Sequence, residues 1–468
     1  MRVEFLGEVS KESLEKRIRL VASAGKLSHF NGSVFDIIQS SEGYEQDLKV
    51  IGRITKSGHE SIIEHDYIQI GISEVTPIVE QTIIGFRLTA FTIKSRRYVD
   101  FRNVGFFVPD FRTKDGVAIE VEDLKKKYQE NAFELFGLYS EMVDAGLPKE
   151  DARFILPYSY YSDITMSLNA RELKKMIIYL LYSDVAIIQE LHDFGTALLQ
   201  LAREYVPYIV KGIEEYKPHK SEFSSLAEIQ KNPQGDVAEK PVLLNYTPDL
   251  DDVILESAIM AETQCSHSIA KQILIDLEKN DPQIREKLMD EIVKKQENRE
   301  LEQVSLTWQI PISLSILTHL TRHRMHSLIV PNFVPLWNLE NFLVPESVKN
   351  SELLSKYIDA VKKNMNLMYE FKNQGVLEAD LVYFYLGCQM CNVITTTNGR
   401  ELMWISRMRG CNRAQWQIRD IVNSMMDEVA QIAPIYRKGL GPTCEVYHYC
   451  PEGKFSCGKI KDILAKLD

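Results

Sequence analysis

Hydrophobic and polar positions follow two rhythms along this chain, and each rhythm occurs twice. In Tyr67-Ile68-Gln69-Ile70-Gly71-Ile72 the three isoleucines fall on one face, and Val304 to Ile310 alternates apolar against polar, so both segments read as strands. Each strand follows an acidic dipeptide, Glu64-His65 or Glu302-Gln303. Each leads through a proline, Pro77 or Pro311, into a helix that ends at an arginine cluster. Further on, the period lengthens to that of a helix: Ile418, Ile421, Val422, Met425, Val429 and Ile432 share one face.

The pairing extends to other landmarks. A short apolar run opens each half, Val3-Phe5-Leu6 and Val242-Leu243-Leu244, followed by a polar cap and an amphipathic helix. In the second copy Thr247 is the expected N-cap, with Pro248 at the first helical position. Asn169-Ala170-Arg171-Glu172-Leu173 matches Asn398-Gly399-Arg400-Glu401-Leu402, and the long helix after each ends near a proline, Pro207 or Pro434. The offset is 324 − 87 = 237 at the arginine cluster and 400 − 171 = 229 at the Asn-x-Arg element. A period of that size means duplicated domains rather than a solenoid. The stretch Pro218–Pro241 is polar, holds three prolines and reads as a linker. The expected organisation is a first repeat over 1–217, a linker over 218–241, a second repeat over 242–440 and a cysteine-containing tail over 441–468.

Composition narrows the class. The chain has 468 residues, 45% of them apolar and 26% charged, enough for two or three cored domains. No apolar run approaches the roughly 18 residues of a membrane span. The first residues carry acids and lack an apolar h-region, so no signal peptide is expected. A net charge of −11 argues against nucleic acid as a partner but leaves room for a small anion held by local arginines. Seven cysteines, an odd number, point to reduced thiols and a cytoplasmic setting.

Two cationic stretches are candidates for chemistry. Arg322-His323-Arg324, with Ser327 beyond, would be costly on a buried helix end unless an anion sits there, and arginine forks match phosphate geometry. Ser95-Arg96-Arg97-Tyr98 sets a hydroxyl beside two arginines. Taken singly, a solvated helix end and a surface loop account for them equally well.

Taken together, they resemble the flavin-dependent thymidylate synthase family. Its signature is Arg-His-Arg, seven residues, then Ser, with Arg and Tyr following, a Glu-His pair upstream, and Asn-x-Arg and Arg…Ala-Gln-Trp-x-Ile downstream. The resemblance covers roughly residues 1–215 and 240–440. The first copy has His59, Ser61, Glu64 and His65, keeps Arg87 but has Gly85 and Phe86 before it, and carries Ser95, Arg97, Tyr98 and Arg153. Leu180 stands where the catalytic arginine is expected. The second copy keeps Arg322, His323, Arg324 and Arg409 ahead of Ala414-Gln415-Trp416-Gln417-Ile418. It has Asn332 for the motif serine, Val334 for the following arginine, and an apolar residue near Val382 for Arg153. The glutamate that the family places two residues before the serine is Ile93 in one copy and Val330 in the other.

The resemblance implies an α+β fold of two tandem copies, each a sheet packed with long helices, and a chain that dimerises into a pseudo-tetramer. It implies methylation of dUMP by methylenetetrahydrofolate with reduced FAD, and NADPH as electron source. The losses are complementary, so one composite set is expected. Ser95, Arg96, Arg97, Arg153 and Arg322 are assigned to the nucleotide. Arg322, His323, Arg324, Asn398, Arg400 and Ser61 are assigned to the flavin, and Arg409 to catalysis. The alternatives are a relative acting on another pyrimidine nucleotide, or a non-catalytic nucleotide- or flavin-binding protein. No metal ligand is assigned. Cys444, Cys450 and Cys457, with His448 between them, suit a metal knuckle without matching a standard spacing. Cys388 and Cys391 sit in an apolar context and read as small buried hydrophobes. His319 and His326 read as helix-face residues.

Overall fold

The computed structural model describes residues 1–7, 10–114, 120–218 and 235–465; residues 219–234 of the expected linker lie outside the described residues. The chain divides into two compact units. The first takes Met1–Gln234 with Phe333–Trp337 and Val344–Gly387. The second takes Gly235–Asn332 with Asn338–Leu343 and Cys388–Asp468.

The first unit holds strands β1 (Arg2–Phe5), β2 (Tyr67–Val75), β3 (Thr89–Ile93) and β4 (Ser162–Asn169), in the order β1-β2-β4-β3 and antiparallel throughout. The second holds β5 (Val242–Tyr246), β6 (Ser305–Ser313), β7 (Ser327–Ile329) and β8 (Met390–Asn398), in the order β5-β6-β8-β7. Even the register repeats: Tyr67 pairs with Asn169, and Ser305 with Asn398. Each unit is therefore one copy of the same α+β sheet topology, as the repeated landmarks predict. Ile68, Ile70 and Ile72 are all buried along β2.

Two local expectations change. Thr247 does not cap the helix Leu250–Thr263, whose N-cap is Asp249 with no side-chain bond. Thr247 instead extends the β5–β6 ladder: its N–H donates to the Ser305 carbonyl (3.0 Å) and its Oγ1 accepts from the Ser305 N–H (2.9 Å). Pro311 does not end its strand but lies within β6, opposite Asn392. β5 reaches only as far as Gln309, so beyond that point β6 faces no strand on that side, and a residue without an N–H loses no bond to β5 there.

Helices pack through apolar stripes. Lys11–Lys26 begins at Ser10, whose Oγ accepts from the Ser13 N–H (3.1 Å), and buries Ile18, Val21 and Ala22. Trp416–Ile432 buries Ile418, Ile421, Val422, Met425 and Val429, with Ile432 half-buried. In the first unit Val121–Asp144 packs against Leu354–Asn373, a helix contributed by the second repeat. Their shared core is aromatic: Phe111, Tyr128, Phe371 and Phe384 meet edge-on or tilted. Full burial of such a side chain contributes about 1.5–3 kcal/mol. Within it the Asn131 amide donates to the Asn364 carbonyl (2.8 Å), and the Asn364 amide to the Phe384 carbonyl (2.7 Å). Satisfied polar pairs of this kind set the register of the two helices. Among the described residues no helix is long and apolar enough to cross a membrane.

The first unit also holds a buried acid, Glu190. Its carboxylate accepts from the Thr76 N–H (2.9 Å), the Thr76 hydroxyl (2.6 Å) and the Tyr383 hydroxyl (3.1 Å). Burial pushes its pKa up to about 7 from an ordinary 4.5, against the pull of the Thr76 and Tyr383 donors. The folded protein then binds a proton that the unfolded chain has released between those values. The stability this gives is complete below pH 4.5 and is lost as pH rises through about 7. Glu190→Gln should flatten that decline in urea-midpoint measurements across the window, and a decline unchanged in the variant would assign it to other groups.

Candidate functional site

In the first unit the chain leaves β3 at Ile93 and turns sharply at Ser95. The Ser95 carbonyl accepts from the N–H groups of Tyr98 (3.4 Å) and Val99 (3.0 Å), and its Oγ accepts from the Arg97 N–H (3.3 Å). The turn sends the two arginines to different places. Arg96 goes inward: its Nη1 donates to Glu80 (2.8 Å) on the helix Pro77–Ile84 and to the Tyr160 hydroxyl, with the guanidinium 5.4 Å from that ring's centre. Arg97 stays half-buried, donating from Nε to Glu150 (2.8 Å). Arg153, in the short turn Arg153–Ile155, is buried and donates from Nε to the Glu150 carbonyl (3.1 Å).

Ser95, Arg96, Arg97 and Arg153 are thus brought together. Their charges crowd one another. Burial pushes Arg153 down to about 9; the Arg96 charge adds to the fall, Tyr160 opposes it, and Arg97 adds again. Glu80, by contrast, holds Arg96 above its ordinary range against its burial. A cluster in which one guanidinium depresses another favours the arrival of an anion. Ser61 is exposed in the 3-10 turn Glu60–His65, where Glu64 pairs with Arg171 and Glu60 with Lys174.

In the second unit the helix Leu314–Thr321 ends on Arg322, and the next residues alternate: Arg322 exposed, His323 buried, Arg324 exposed. His323 Nε2 accepts from Arg409 Nε (3.1 Å), while Nδ1 lies 3.4 Å from Glu401 Oε1. Burial lowers the His323 pKa, Glu401 opposes, and the Arg409 charge lowers it further. The ring is therefore the neutral acceptor that an arginine N–H requires, its own proton on Nδ1 facing the carboxylate.

One junction positions these groups. Asn398 ends β8 and caps the helix Gly399–Arg409, its Oδ1 accepting from the Glu401 N–H (2.8 Å). Gly399 follows because a Cβ there would lie 2.7 Å from the Leu301 carbonyl oxygen. Arg400 donates to Glu302 (2.8 Å), repeating the Arg171–Glu64 pair of the first unit. His326 is buried, with Nδ1 2.7 Å from the Thr395 hydroxyl.

Beside this junction opens a cavity of about 510 Å3, lined among others by Asn398, Arg400, Trp404, Arg407, Lys295 and Tyr447. Nε and Nη2 of Arg407 are buried without a hydrogen-bond partner among the described residues, and the guanidinium lies 4.2 Å from the centre of the Tyr447 ring. Buried guanidinium donors of this kind require an acceptor, so the lining suits a phosphate-bearing, ring-bearing cofactor. Asn398 and Arg400 are among the residues assigned from sequence; Trp404 and Arg407, which line the same cavity, are not. Their spacing is the signal: 400, 404 and 407 fall on one helix face.

The family described as thymidylate synthase complementing protein matches residues 12–208 and again 242–435. A flavin-dependent thymidylate synthase from Clostridium tetani is 28% identical over 243 residues, 48% of this chain and 95% of its own length. Another, from Thermococcus onnurineus, is 34% identical over 165 residues, 33% of this chain and 67% of its own length. A solved UMP/dUMP methylase, PolB from Streptomyces cacaoi with 5-Br dUMP bound, overlays with a TM-score of 0.38 at 19% identity, covering 46% of this chain and 95% of its own, too low to carry an argument.

The crowded guanidiniums make a direct prediction. Inorganic phosphate should raise the thermal midpoint, by the equivalent of about 2.7 kcal/mol at one hundred times its dissociation constant. Arg153→Met should remove that rise; a rise unchanged in the variant would place the anion elsewhere.

Proposed function

We propose that this chain, which belongs to the thymidylate synthase complementing protein family in both of its halves, converts dUMP to dTMP with methylenetetrahydrofolate as methylene donor. It is an enzyme of that family. The observation that carries the reading is the neutral His323 holding Arg409 at the end of a capped helix.

Each group has a derivable task. With Nε bonded to His323, the plane of the Arg409 guanidinium is set before substrate arrives. A preset cation stabilises negative charge as it develops on a pyrimidine nitrogen and carbonyl oxygen, without reorganising at the moment of reaction. Arg97 and Arg153 supply the phosphate donors, and Arg96, committed to Glu80 and Tyr160, holds the turn that presents them. Ser95 binds rather than attacks, since its Oγ accepts from the Arg97 N–H and, among the described residues, no base is hydrogen-bonded to it. Asn398, Arg400 and Arg407 would hold the flavin and its phosphates; reduced FAD, when bound, supplies the hydride, with NADPH as the electron source. Arg322 and Arg324, exposed beside His323, serve the anionic ligands. Because the losses in the two repeats are complementary, a complete set needs both, in keeping with a cytoplasmic homodimer that forms a pseudo-tetramer.

One observation favours the alternative of a non-catalytic nucleotide- or flavin-binding protein. Where the family places a glutamate, Ile93 is buried at the end of β3, paired with Ile164.

The deciding assay supplies FAD, NADPH, methylenetetrahydrofolate and dUMP, and measures dTMP. Turnover is expected, and Arg409→Lys should lower kcat by about 10²–10³-fold with flavin retained. Arg97→Ala, in the other repeat, should also lose turnover, through nucleotide KM. A flavin-loaded protein that forms no dTMP would leave the binding-protein reading. The rate should also fall on the acid side with an apparent pKa below the ordinary 6.5 of histidine, because a protonated His323 cannot accept from Arg409; an acid limb above 6.5 would rule out that role.

A further inference from the structure

Four of the seven cysteines, drawn from three stretches of chain, line one small cavity in the second unit. Cys411 follows the helix that ends at Arg409. Cys444 lies in the turn Thr443–Val446, and Cys450 and Cys457 lie in the segment after it. The last three lie beyond residue 435, where the family match stops. We propose that Cys411, Cys444, Cys450 and Cys457 form a four-thiolate site for a single divalent metal ion of the zinc type, which ties the C-terminal tail to the end of the Arg409 helix.

The chemistry of the cavity supports a metal over a packing role. All four thiols are free; Cys444 is buried and the other three are partly so. Asn412, Arg413, Pro442, Glu452, Ser456 and Ile460 share the lining, yet four cysteines on one small cavity supply the soft donor set of structural zinc. The cavity has room for about 20 Å3, close to the ~10–15 Å3 of one water-sized body, which suits one ion. The backbone N–H of Arg413 donates to Cys411 Sγ (3.5 Å), the kind of bond that steadies a thiolate, and the Arg413 side chain lines the same cavity.

Among the described residues no three ligand side chains already stand at coordinating separation. Binding therefore draws the sulfurs inward to the ~2.3 Å of a Zn–S bond. As each bond forms, its thiol releases a proton to solvent. One dication and four neutral thiols become a dianionic centre plus four protons, and no electron is transferred.

The tail so held is not remote from the chemistry. Gly410 packs against the Ser406 carbonyl and Pro442, where a Cβ would sit 2.6 Å from that carbonyl oxygen. Tyr447, between the second and third ligands, lies against Arg407, donates to the Val293 carbonyl (3.1 Å) and lines the cofactor cavity. The ion would hold that wall.

The test uses the full chain, reduced and stripped with a chelator, then titrated with Co2+ alone and afterwards Zn2+. Expected are one Co2+ per chain, sulfur-to-cobalt charge-transfer absorption with the visible bands of a tetrahedral ion, and displacement by one Zn2+. Alkylation mapping should show Zn2+ protecting Cys411, Cys444, Cys450 and Cys457 while Cys265 stays reactive. Loss of a mere outer partner of a metal ligand costs about 10–100-fold in affinity, so Cys411→Ser should cost at least as much and Cys265→Ser nothing. Should Cys411→Ser fail to fold, the alkylation map of the unmutated chain decides. No charge-transfer band, protection of fewer than four thiols, a disulfide between any two of them, or iron with inorganic sulfide would each overturn the proposal. None of these readouts depends on dTMP formation.

Discussion

A single side-chain carbonyl sets the geometry of the second unit. Asn398 Oδ1 accepts from the Glu401 N–H and so fixes the residue at which β8 becomes a helix. Glu401 then stands at the third helical position facing His323, Arg400, Trp404 and Arg407 share the face that lines the cavity, and Arg409 closes the last turn against His323. Shifting the start by one residue would rotate every one of these side chains by about 100°. The cap itself is worth only about 1 kcal/mol, but it decides which atoms meet.

The same junction exists in the first unit, where Asn169 Oδ1 accepts from the Glu172 N–H and Arg171 meets Glu64. There the helix Ala170–Tyr182 carries Leu180, fully buried, where the second copy has Arg409. The cap is the same in both copies while the side chain at that position differs: capping and register are stability terms that any copy needs, whereas a buried guanidinium without a ligand is a desolvation cost that an apolar residue removes.

Periodicity made the strands, the long helices and the duplication legible, because alternation and the 3.6 repeat report directly on burial. It misassigned Thr247 and Pro311, whose roles depend on where a neighbouring strand ends, and that is not a local property. Within the candidate site, the motif residues could be named but not their orientation. Ser95-Arg96-Arg97 reads as one phosphate-binding stretch, yet Arg96 points inward, because Glu80 and Tyr160, remote in sequence, supply its partners. The approach of Cys411 to three tail cysteines was hidden for the same reason, and the tail alone showed only an irregular spacing.

The helix Leu354–Asn373 and the turn through Phe384 belong to the second repeat by sequence but to the first unit by packing. On a ribosome adding roughly 5–20 residues each second, this order has a cost in time. The hydrogen bond between Asn131 and Asn364 spans 233 positions, and the Tyr383 hydroxyl reaches Glu190 across 193. Until those later residues emerge, the aromatic face of Val121–Asp144 has no cover. The unit that begins first is thus completed late, and its nascent form is the one most in need of protection from aggregation.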